Sequence, residues 1–348
     1  MAEKKRKFGK NLFVAVTLIL SIGILLYFLF TMGGGIETLA RISKTLRRPW
    51  LLAAVLAAIS CWLLEGFEID LLCRHLKSGW EFFDSFSAGM IGFLYSAVTP
   101  FATGGQPMQM YTLSNMGMDT GMAGSVVAVK TLIYQVVMVL YALVMVVLKL
   151  HYFQTSVTNF AFLTVIGLFT NCIFIAAVVL FIVSEKTTDR ILRSSLSLLH
   201  RMKLCRHPKE RYEKIHGQLQ VFHDASKMMG NSAPLYLSVM ASAVLQITLN
   251  SLIPFFIYRS FNMRGAPVTT MVAAQVFVAM VSAFVPLPGS SGGAESSFYL
   301  FFSLYFGATA IFPAILLWRI ITYYANIVFG GVFAYLGSKM KKEKRSEQ

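Results

Sequence analysis

The chain has 348 residues, of which 56% are hydrophobic and only 14% are charged. No ordinary soluble domain is so apolar, so the composition excludes a soluble globular protein and predicts an integral membrane protein. The net charge of +15 would suit a nucleic-acid-binding protein. However, the basic residues cluster beside the apolar stretches, as in membrane proteins, so no nucleic-acid partner is expected.

The apolar stretches are long enough to cross the hydrocarbon core of a bilayer as helices, so the expected fold class is an all-α integral membrane protein. About six full transmembrane helices are predicted, over residues 11–32, 50–73, 121–148, 159–183, 234–258 and 309–337. The first of them follows a basic run and is longer than the apolar part of a signal peptide. No small-x-small cleavage site follows it, so we expect it to be retained.

Two further apolar regions are interrupted by matching motifs. The first motif reads Ser-Ala-Val-Thr-Pro at 96–100 and leads to a Gly-Gly pair at 104–105. The second reads Ser-Ala-Phe-Val-Pro at 282–286 and leads to a Gly-Gly pair at 292–293. Proline removes a backbone donor and glycine loosens a helix, so each motif predicts a broken helix. Such a matched pair in the two halves of a membrane protein is typical of a transporter's binding site.

The distribution of lysine and arginine gives the predicted orientation, because positive residues accumulate in cytoplasmic loops. The N-terminal segment, the 74–79 turn, the 184–233 loop and the tail from Lys339 hold 22 of the 31 basic residues. Placing them inside puts both termini in the cytoplasm. Region 80–118 then enters and leaves from the inside, and region 267–306 from the outside. Each is therefore predicted to be a re-entrant hairpin that is broken at its tip.

The whole chain, residues 1–348, is then a single polytopic membrane domain. Its halves, about 11–148 and 159–337, form an inverted repeat, and a basic cytoplasmic loop occupies about 184–233. We expect the two hairpin tips to approach each other near the midplane. The alternative that the sequence leaves open is eight transmembrane segments, two of them kinked.

A lipid- or anion-binding site is predicted at the two tips. A helix that begins there exposes unpaired N–H groups and the positive end of its dipole, which attract anions. Glycines would let a headgroup approach the backbone, and glutamines would offer amide donors and acceptors. The candidates are Gly104, Gly105, Gln106 and Gln109 at the first tip, and Pro286, Pro288, Gly289, Gly292 and Gly293 at the second. The alternative role of the glycines is tight packing of the hairpins.

Three charged residues inside the apolar regions complete the predicted site: Lys130, Glu295 and Arg319. An ionisable group in a membrane is costly and usually marks a pathway, a relay or a buried pair. Arg319 suits bidentate contact with a lipid phosphate, with Glu295 orienting it, and a purely structural Glu295–Arg319 ion pair is the alternative. Lys130 could instead snorkel toward the inner face. Glu65 and Glu68 are expected to be interfacial.

No catalytic residue, metal site or cofactor is predicted, because the known nucleotide, hydrolase and metalloprotease motifs do not occur. The four cysteines are scattered, and the histidines of the 184–233 loop have spacings that fit no metal motif. In that loop, residues 190–203 can form an amphipathic helix with a basic face. This pattern predicts contact with anionic lipid of the cytoplasmic leaflet.

The interrupted motifs resemble those of the lysylphosphatidylglycerol synthase/flippase family, bacterial proteins that confer resistance to cationic antimicrobial peptides. The resemblance rests on the Pro286–Glu295 element, on the run 100–109 and on the spacing to Arg319, and it covers essentially the whole chain. Many relatives carry Gly-Glu-x-x-Arg in the first motif, where this chain has Gln106 and Gln109. Full-length members add a C-terminal domain that transfers lysine to phosphatidylglycerol. We expect this chain to be a stand-alone membrane domain without it.

The resemblance implies flippase-type translocation or binding of a lipid in the bacterial cell membrane. The expected partner is an anionic or aminoacylated phospholipid, or a polyprenyl-phosphate-linked lipid, and a homo-oligomer is left open. One alternative is an enzymatic role as a phosphatidylglycerol lysyltransferase component. Another is a membrane partner that recruits such an enzyme through its basic loop.

Overall fold

A computed structural model describes residues 46–156, 160–201, 208–230, 232–283 and 285–346. The helices are α1 (Arg48–Leu76), α2 (Phe82–Val98), α3 (Gly105–Asn115), α4 (Thr120–Ser156), α5 (Phe160–Val183), α6 (Glu185–Arg201), α7 (Pro208–Gly230), α8 (Ala233–Ser260), α9 (Val268–Ser282), α10 (Gly293–Arg319) and α11 (Ala325–Ser346). A π-helical turn joins α10 to α11. These ranges contain helices and turns but no strand, which together with their apolar spans confirms the all-α membrane fold class.

Four stretches of the described residues are long and apolar enough to cross a membrane: α1, the first 30 residues of α4, α8, and Pro288–Gly337. They correspond to the predicted spans at 50–73, 121–148, 234–258 and 309–337. The predicted span 159–183 corresponds to α5, in which Asn171–Val183 meets the same criteria together with Glu185–Ser197 of α6, across a bend of 99°. The predicted span 11–32 lies outside the described residues.

At both motifs the helix is interrupted where the sequence predicts. The first helix arm, α2, ends before a 3₁₀ turn at Pro100–Ala102, and α3 begins just beyond it. In the same way α9 ends before a 3₁₀ turn at Pro288–Ser290, and α10 begins beyond it. In each case the two arms pack against each other, and the two 3₁₀ turns also contact each other. The molecule therefore has two helical hairpins whose tips meet.

The lengths of the arms support hairpins over kinked spans. The arms α2, α3 and α9 have 17, 11 and 15 residues. At about 1.5 Å per residue, none of them reaches across a hydrocarbon core of about 30 Å. Gly307 has φ +66°, which interrupts α10 after a short return arm and starts the last span. The face of the membrane onto which each hairpin opens stays a prediction.

Each hairpin has its own apolar core. Around the first, Leu72 of α1, Leu113 of α3 and Val126 of α4 are fully buried together. Around the second, aromatic rings stack along α10, with the centroids of Phe298 and Phe302 4.3 Å apart. Such aromatic pairs contribute about 0.5–1.5 kcal/mol beyond the area they bury. The two cores hold the hairpins against the long spans.

The segment predicted as a long polar loop, 184–233, is largely helical. It forms α6 and α7, which pack against each other, and α7 also packs on α4. The predicted helix at 190–203 is confirmed as far as Arg201, where α6 ends. In the first half of α6, hydrogen bonds from Tyr212 and Arg193 lower the pKa of the Asp189 carboxyl. Binding of this segment to anionic lipid stays a prediction.

Helix α11 packs on the first hairpin arm, and Gly330 is the point of closest approach. A Cβ atom there would lie 2.5 Å from the Met90 carbonyl oxygen and 2.7 Å from Leu94 Cβ. We expect Gly330→Ala to push α2 and α11 apart and to lower the free energy of unfolding by about 1–3 kcal/mol. Titration with SDS, followed by circular dichroism, measures this.

The neighbouring Gly331 is the matched control, because a Cβ atom there meets nothing within 4 Å. Since alanine is the better helix former, Gly331→Ala should be neutral or stabilise by up to about 1 kcal/mol. Equal losses in the two variants would contradict this packing.

Candidate functional site

Four helices converge on the carboxylate of Glu65, which is 4% exposed. Lys130 of α4, 7% exposed, donates to Oε1 of Glu65. Gln109 of α3 donates to the same oxygen at 2.8 Å, and Gln246 of α8 donates to Oε2 at 3.2 Å. The carboxylate is therefore held by one cation and two amides, deep inside the helix bundle.

A second carboxylate, Glu68, lies one helical turn further along α1 and is fully buried. Its Oε2 is 4.0 Å from the Lys130 ammonium, which is too far for a hydrogen bond. Neither of its oxygens has a hydrogen-bond partner among the described residues. The buried Ser242 hydroxyl of α8 also has no such partner within the described part of the chain. The cluster thus holds two carboxyl groups and one lysine.

The second hairpin has a buried ion pair of its own. Arg319 Nε donates to Glu295 Oε1 at 2.7 Å, and both side chains are at most 5% exposed. Arg319 Nη1 also donates to the Gly289 carbonyl at 3.1 Å, and the guanidinium lies 5.0 Å from the centre of the Tyr323 ring. The other oxygen of Glu295 accepts the N–H of Gly292 at 2.7 Å, which caps the start of α10. This pair ties the second tip to the last span.

A cavity of about 350 Å³ opens beside the Glu65–Lys130 pair. Its polar lining comes from the first hairpin, α1, α4, α8 and the last span. These polar residues are Glu65, Ser96, Gln106, Gln109, Lys130, Thr131, Tyr134, Gln135, Gln246, Asn250, Thr322 and Asn326. A polar group bound in this cavity could therefore contact an ammonium, a carboxylate, and several amides and hydroxyls.

A larger, mostly apolar groove of about 850 Å³ adjoins this polar cavity. It runs between α3, α4 and α5 and reaches both hairpin tips, at Phe101 and at Ser290. The groove and the polar cavity share the lining residues Ala102, Gln106, Thr131 and Gln135. The polar space and the apolar space thus lie next to each other, on either side of these four residues.

The predicted site residues separate into two groups. Gly105, Gln106, Gln109 and Lys130 line the polar cavity, and Gln106 also lines the groove. Gly104 directly precedes α3, the first returning helix, and its N–H donates to the Thr99 hydroxyl at 2.8 Å.

Gly289 and Gly293 of the second tip show the close packing that the sequence left as an alternative, as does Gly105 of the first tip, where a Cβ atom would lie 2.0 Å from Ser96 Oγ. A Cβ atom on Gly293 would lie 2.0 Å from Val285, and one on Gly289 would lie 2.1 Å from the Tyr323 ring. Gly289 and Gly292 also have φ values of +60° and +83°, which favour glycine. Pro288 starts the 3₁₀ turn, and the exposed Pro286 precedes it. Arg319 and Glu295 line neither of the two cavities described above.

Two expectations about charge are wrong. Lys130 does not snorkel to the membrane surface, because Glu65 holds it inside the bundle. Glu65 and Glu68 are not interfacial but buried, since α1 continues beyond them to Leu76 and other helices cover that face. The signal that could have located them is their spacing of three residues on an apolar helix, which puts both on one face.

The spans, the paired hairpins and the buried charges define a multi-pass α-helical membrane protein whose polar site lies within the helix bundle. The chain belongs to the family described as the lysylphosphatidylglycerol synthase TM region, whose model matches residues 14–330. It is also 28% identical over 317 residues to a UPF0104 membrane protein of Archaeoglobus fulgidus, an alignment that covers 86% of this chain and 91% of that protein. The family predicted from the interrupted motifs is confirmed.

Proposed function

We propose that this protein binds a lipid with a phosphate-bearing headgroup and moves it across the membrane, as a flippase does. The observation that carries the proposal is that the polar cavity and the apolar groove adjoin and share four lining residues. A lipid needs both environments, because its headgroup must stay solvated or hydrogen-bonded while its chains stay in apolar surroundings.

The headgroup would occupy the polar cavity beside Lys130. The ammonium has three donors, and only part of that capacity is used by Glu65, so it can also donate to a phosphate oxygen. Gln106 offers a further amide at the point where the cavity meets the groove. Such contacts offset the cost of bringing an anion into the bundle.

The acyl or polyprenyl chains would lie in the groove between α3, α4 and α5. Its lining includes Pro107, Met110, Val127, Phe174 and Val178. Contact between the two broken tips at the end of this groove matches the placement of substrate sites at the interface of two repeats. A relative movement of the hairpins would then expose the headgroup to one side or the other.

The family description makes phosphatidylglycerol and its lysyl derivative the first lipids to test, and polyprenyl phosphates share the same phosphate chemistry. A role in resistance to cationic peptides would follow from export of the lysyl derivative. The proposed setting is the bacterial cytoplasmic membrane, with both termini in the cytoplasm.

The test is translocation by the purified protein in vesicles of phosphatidylcholine and phosphatidylglycerol. Fluorescently labelled phosphatidylglycerol in the outer leaflet is bleached by dithionite, so the rate at which inner-leaflet label becomes accessible reports translocation. Ala177 lines the groove, and Ala177→Trp should fill it and reduce the rate to that of protein-free vesicles.

Val179 provides the matched control, because it lies on the same helix and is exposed without lining the groove. Val179→Trp should translocate lipid at the rate of the unmodified protein. If Ala177→Trp is equally active, the groove does not carry the lipid chains. If the unmodified protein moves neither labelled phosphatidylglycerol nor a labelled polyprenyl phosphate, the proposed function is wrong.

A further inference from the structure

Resting on the proposed function, we infer that Glu68 is a proton-binding site that controls binding of the lipid headgroup at Lys130. Its uncharged form leaves the lysine beside the cavity, and its ionised form draws the lysine away. Uptake of an anionic lipid is therefore linked to uptake of a proton by Glu68.

The charge balance of the cluster is the first argument. Glu65, Glu68 and Lys130 are at most 7% exposed, so two carboxyl groups share one ammonium in a largely buried site. The lysine donates to Glu65, which also accepts from Gln109 and Gln246. A buried carboxylate is strongly disfavoured unless donors surround it. Neither oxygen of Glu68 makes a hydrogen bond of ordinary length within the described residues, and the Ser242 hydroxyl that faces it carries no charge. Glu68 is thus the member that holds a proton in this arrangement.

The groups that surround Glu68 leave the lysine as its partner when it ionises. On its own helix it faces Glu65 and the buried Cys61 thiol, and the next acid, Asp70, is paired with Arg74 at 2.6 Å. The helices packed against Glu68 contribute Lys130 and Tyr134 from α4, and Ser242 and Gln246 from α8. Near the same end of α1, Ser85 of α2 donates to Asp70, and His223 of α7 is hydrogen-bonded to the Ile182 carbonyl. Lys130 is the cation of this set, and it lies 4.0 Å from Glu68 Oε2.

Only a short displacement of the ammonium separates the two states. Moving from Glu65 toward Glu68 would turn the 4.0 Å contact into a hydrogen bond and withdraw the charge from the cavity wall. Glu65 lines the polar cavity and lies one turn from Glu68, so it offers a path by which a proton from water reaches the buried acid. The proton adds to a carboxylate oxygen of Glu68, and no other bond changes.

The sign of the linkage follows from these states. The lipid binds best when Glu68 is protonated, so the affinity should be highest at low pH and should fall as the pH rises through the titration of Glu68. The limiting slope is about a tenfold loss of affinity per pH unit, which corresponds to one proton taken up per lipid.

The experiment measures binding of short-chain dioctanoyl phosphatidylglycerol to the purified full chain in a non-ionic detergent, by calorimetry across a pH series. Two buffers of different ionisation enthalpy give the number of protons taken up. The unmodified protein should show the falling affinity. Glu68→Gln, which mimics the neutral form, should bind as tightly as the protein at low pH, with no pH dependence. The exposed Glu81 is the control, and Glu81→Gln should follow the unmodified protein.

A lipid-free measurement separates this inference from the proposed function. Infrared difference spectra over the same pH series should show a protonated carboxylic acid band that Glu68→Gln removes. If this band is present but the protein binds no lipid, the proposed function is wrong. Glu68 would then bind a proton without any link to lipid binding, so the inference would also be wrong. Lipid binding that does not depend on pH, or a pH dependence that survives in Glu68→Gln, would also overturn it. If Glu68→Gln does not fold, the proton count of the unmodified protein decides, and a count of zero overturns the inference.

Discussion

Replacement of Arg319 by alanine is expected to lower the free energy of unfolding by about 3–5 kcal/mol, because it leaves the buried carboxylate of Glu295 without its cation. The guanidinium also bonds the Gly289 carbonyl and stacks near Tyr323, so its loss frees the second tip from the last span. SDS titration followed by circular dichroism measures the effect. The control Arg259→Ala removes a half-buried arginine that stacks on Trp50 at 4.9 Å, and should cost about 1 kcal/mol or less.

A double variant distinguishes the structural pair from the phosphate ligand that the sequence also allowed. In Glu295→Gln with Arg319→Met both charges are gone, while the amide oxygen can still accept the Gly292 N–H. Removing both partners of a buried pair is often neutral, so this variant should fold and should translocate lipid. A stable but inactive Arg319→Ala variant would contradict the structural role and would return Arg319 to the lipid site.

The main features of the fold could be predicted because they depend on short stretches of the sequence. Pro100 and Pro286, each followed by a Gly-Gly pair, predict helix breaks. In a membrane such breaks occur only where the backbone is buried in protein or lines a cavity. The break at Gly307 separates the second hairpin from the last span, close to the predicted boundary. The helices of the 184–233 segment were missed as a pair because their sequence is polar, and a polar sequence in a loop position does not by itself indicate a packed helix.

The composition of the site could be predicted only in part, because it depends on how each helix is rotated. Helix α1 is apolar on most of its surface, so its sequence does not show which face meets α4 and α8. The contact between Glu65 and Lys130 joins residues 65 positions apart in the sequence, and no local pattern predicts it. Of the two predicted glutamines, Gln109 holds Glu65, whereas Gln106 remains at the junction of cavity and groove.

Lys130 and Arg319 follow the two tips at the same distance along the sequence but have different partners. Gln106 precedes Lys130 by 24 residues, the same separation as between Glu295 and Arg319. The second half has an acid at the first of these positions, so its arginine is sealed against the tip. The first half has a neutral glutamine there, and Lys130 pairs instead with Glu65 of another helix, at the wall of a cavity. With an amide instead of an acid at the first tip, Lys130 lies at the wall of a cavity, whereas Arg319 is paired with the acid of its own tip.

A large loss of transport is expected when the Glu65–Lys130 pair is replaced by neutral side chains. Lys130→Met alone would leave Glu65 buried without a cation and should cost about 3–5 kcal/mol of stability, which would obscure any effect on transport. The double variant Glu65→Gln with Lys130→Met removes both charges, so it should fold with nearly the stability of the unmodified protein. A charge-assisted hydrogen bond to the headgroup contributes about 1.5–3 kcal/mol. Its loss should therefore slow translocation of labelled phosphatidylglycerol by roughly 10- to 100-fold.

The matched control is the other ion pair of α1, Asp70–Arg74, whose residues line neither of the two cavities described. Asp70→Asn with Arg74→Gln likewise removes one acid and one base, in this case both from α1, and should translocate lipid at the unmodified rate. Transport at that rate by the Glu65/Lys130 double variant would show that the headgroup does not use Lys130. A loss of transport in both double variants would mean that α1 needs its charges for another reason than lipid binding. Only a loss of transport in the Glu65/Lys130 variant, with normal transport in the Asp70/Arg74 variant, assigns the headgroup to the polar cavity. The two variants lose the same charges and differ in where the removed pair lies.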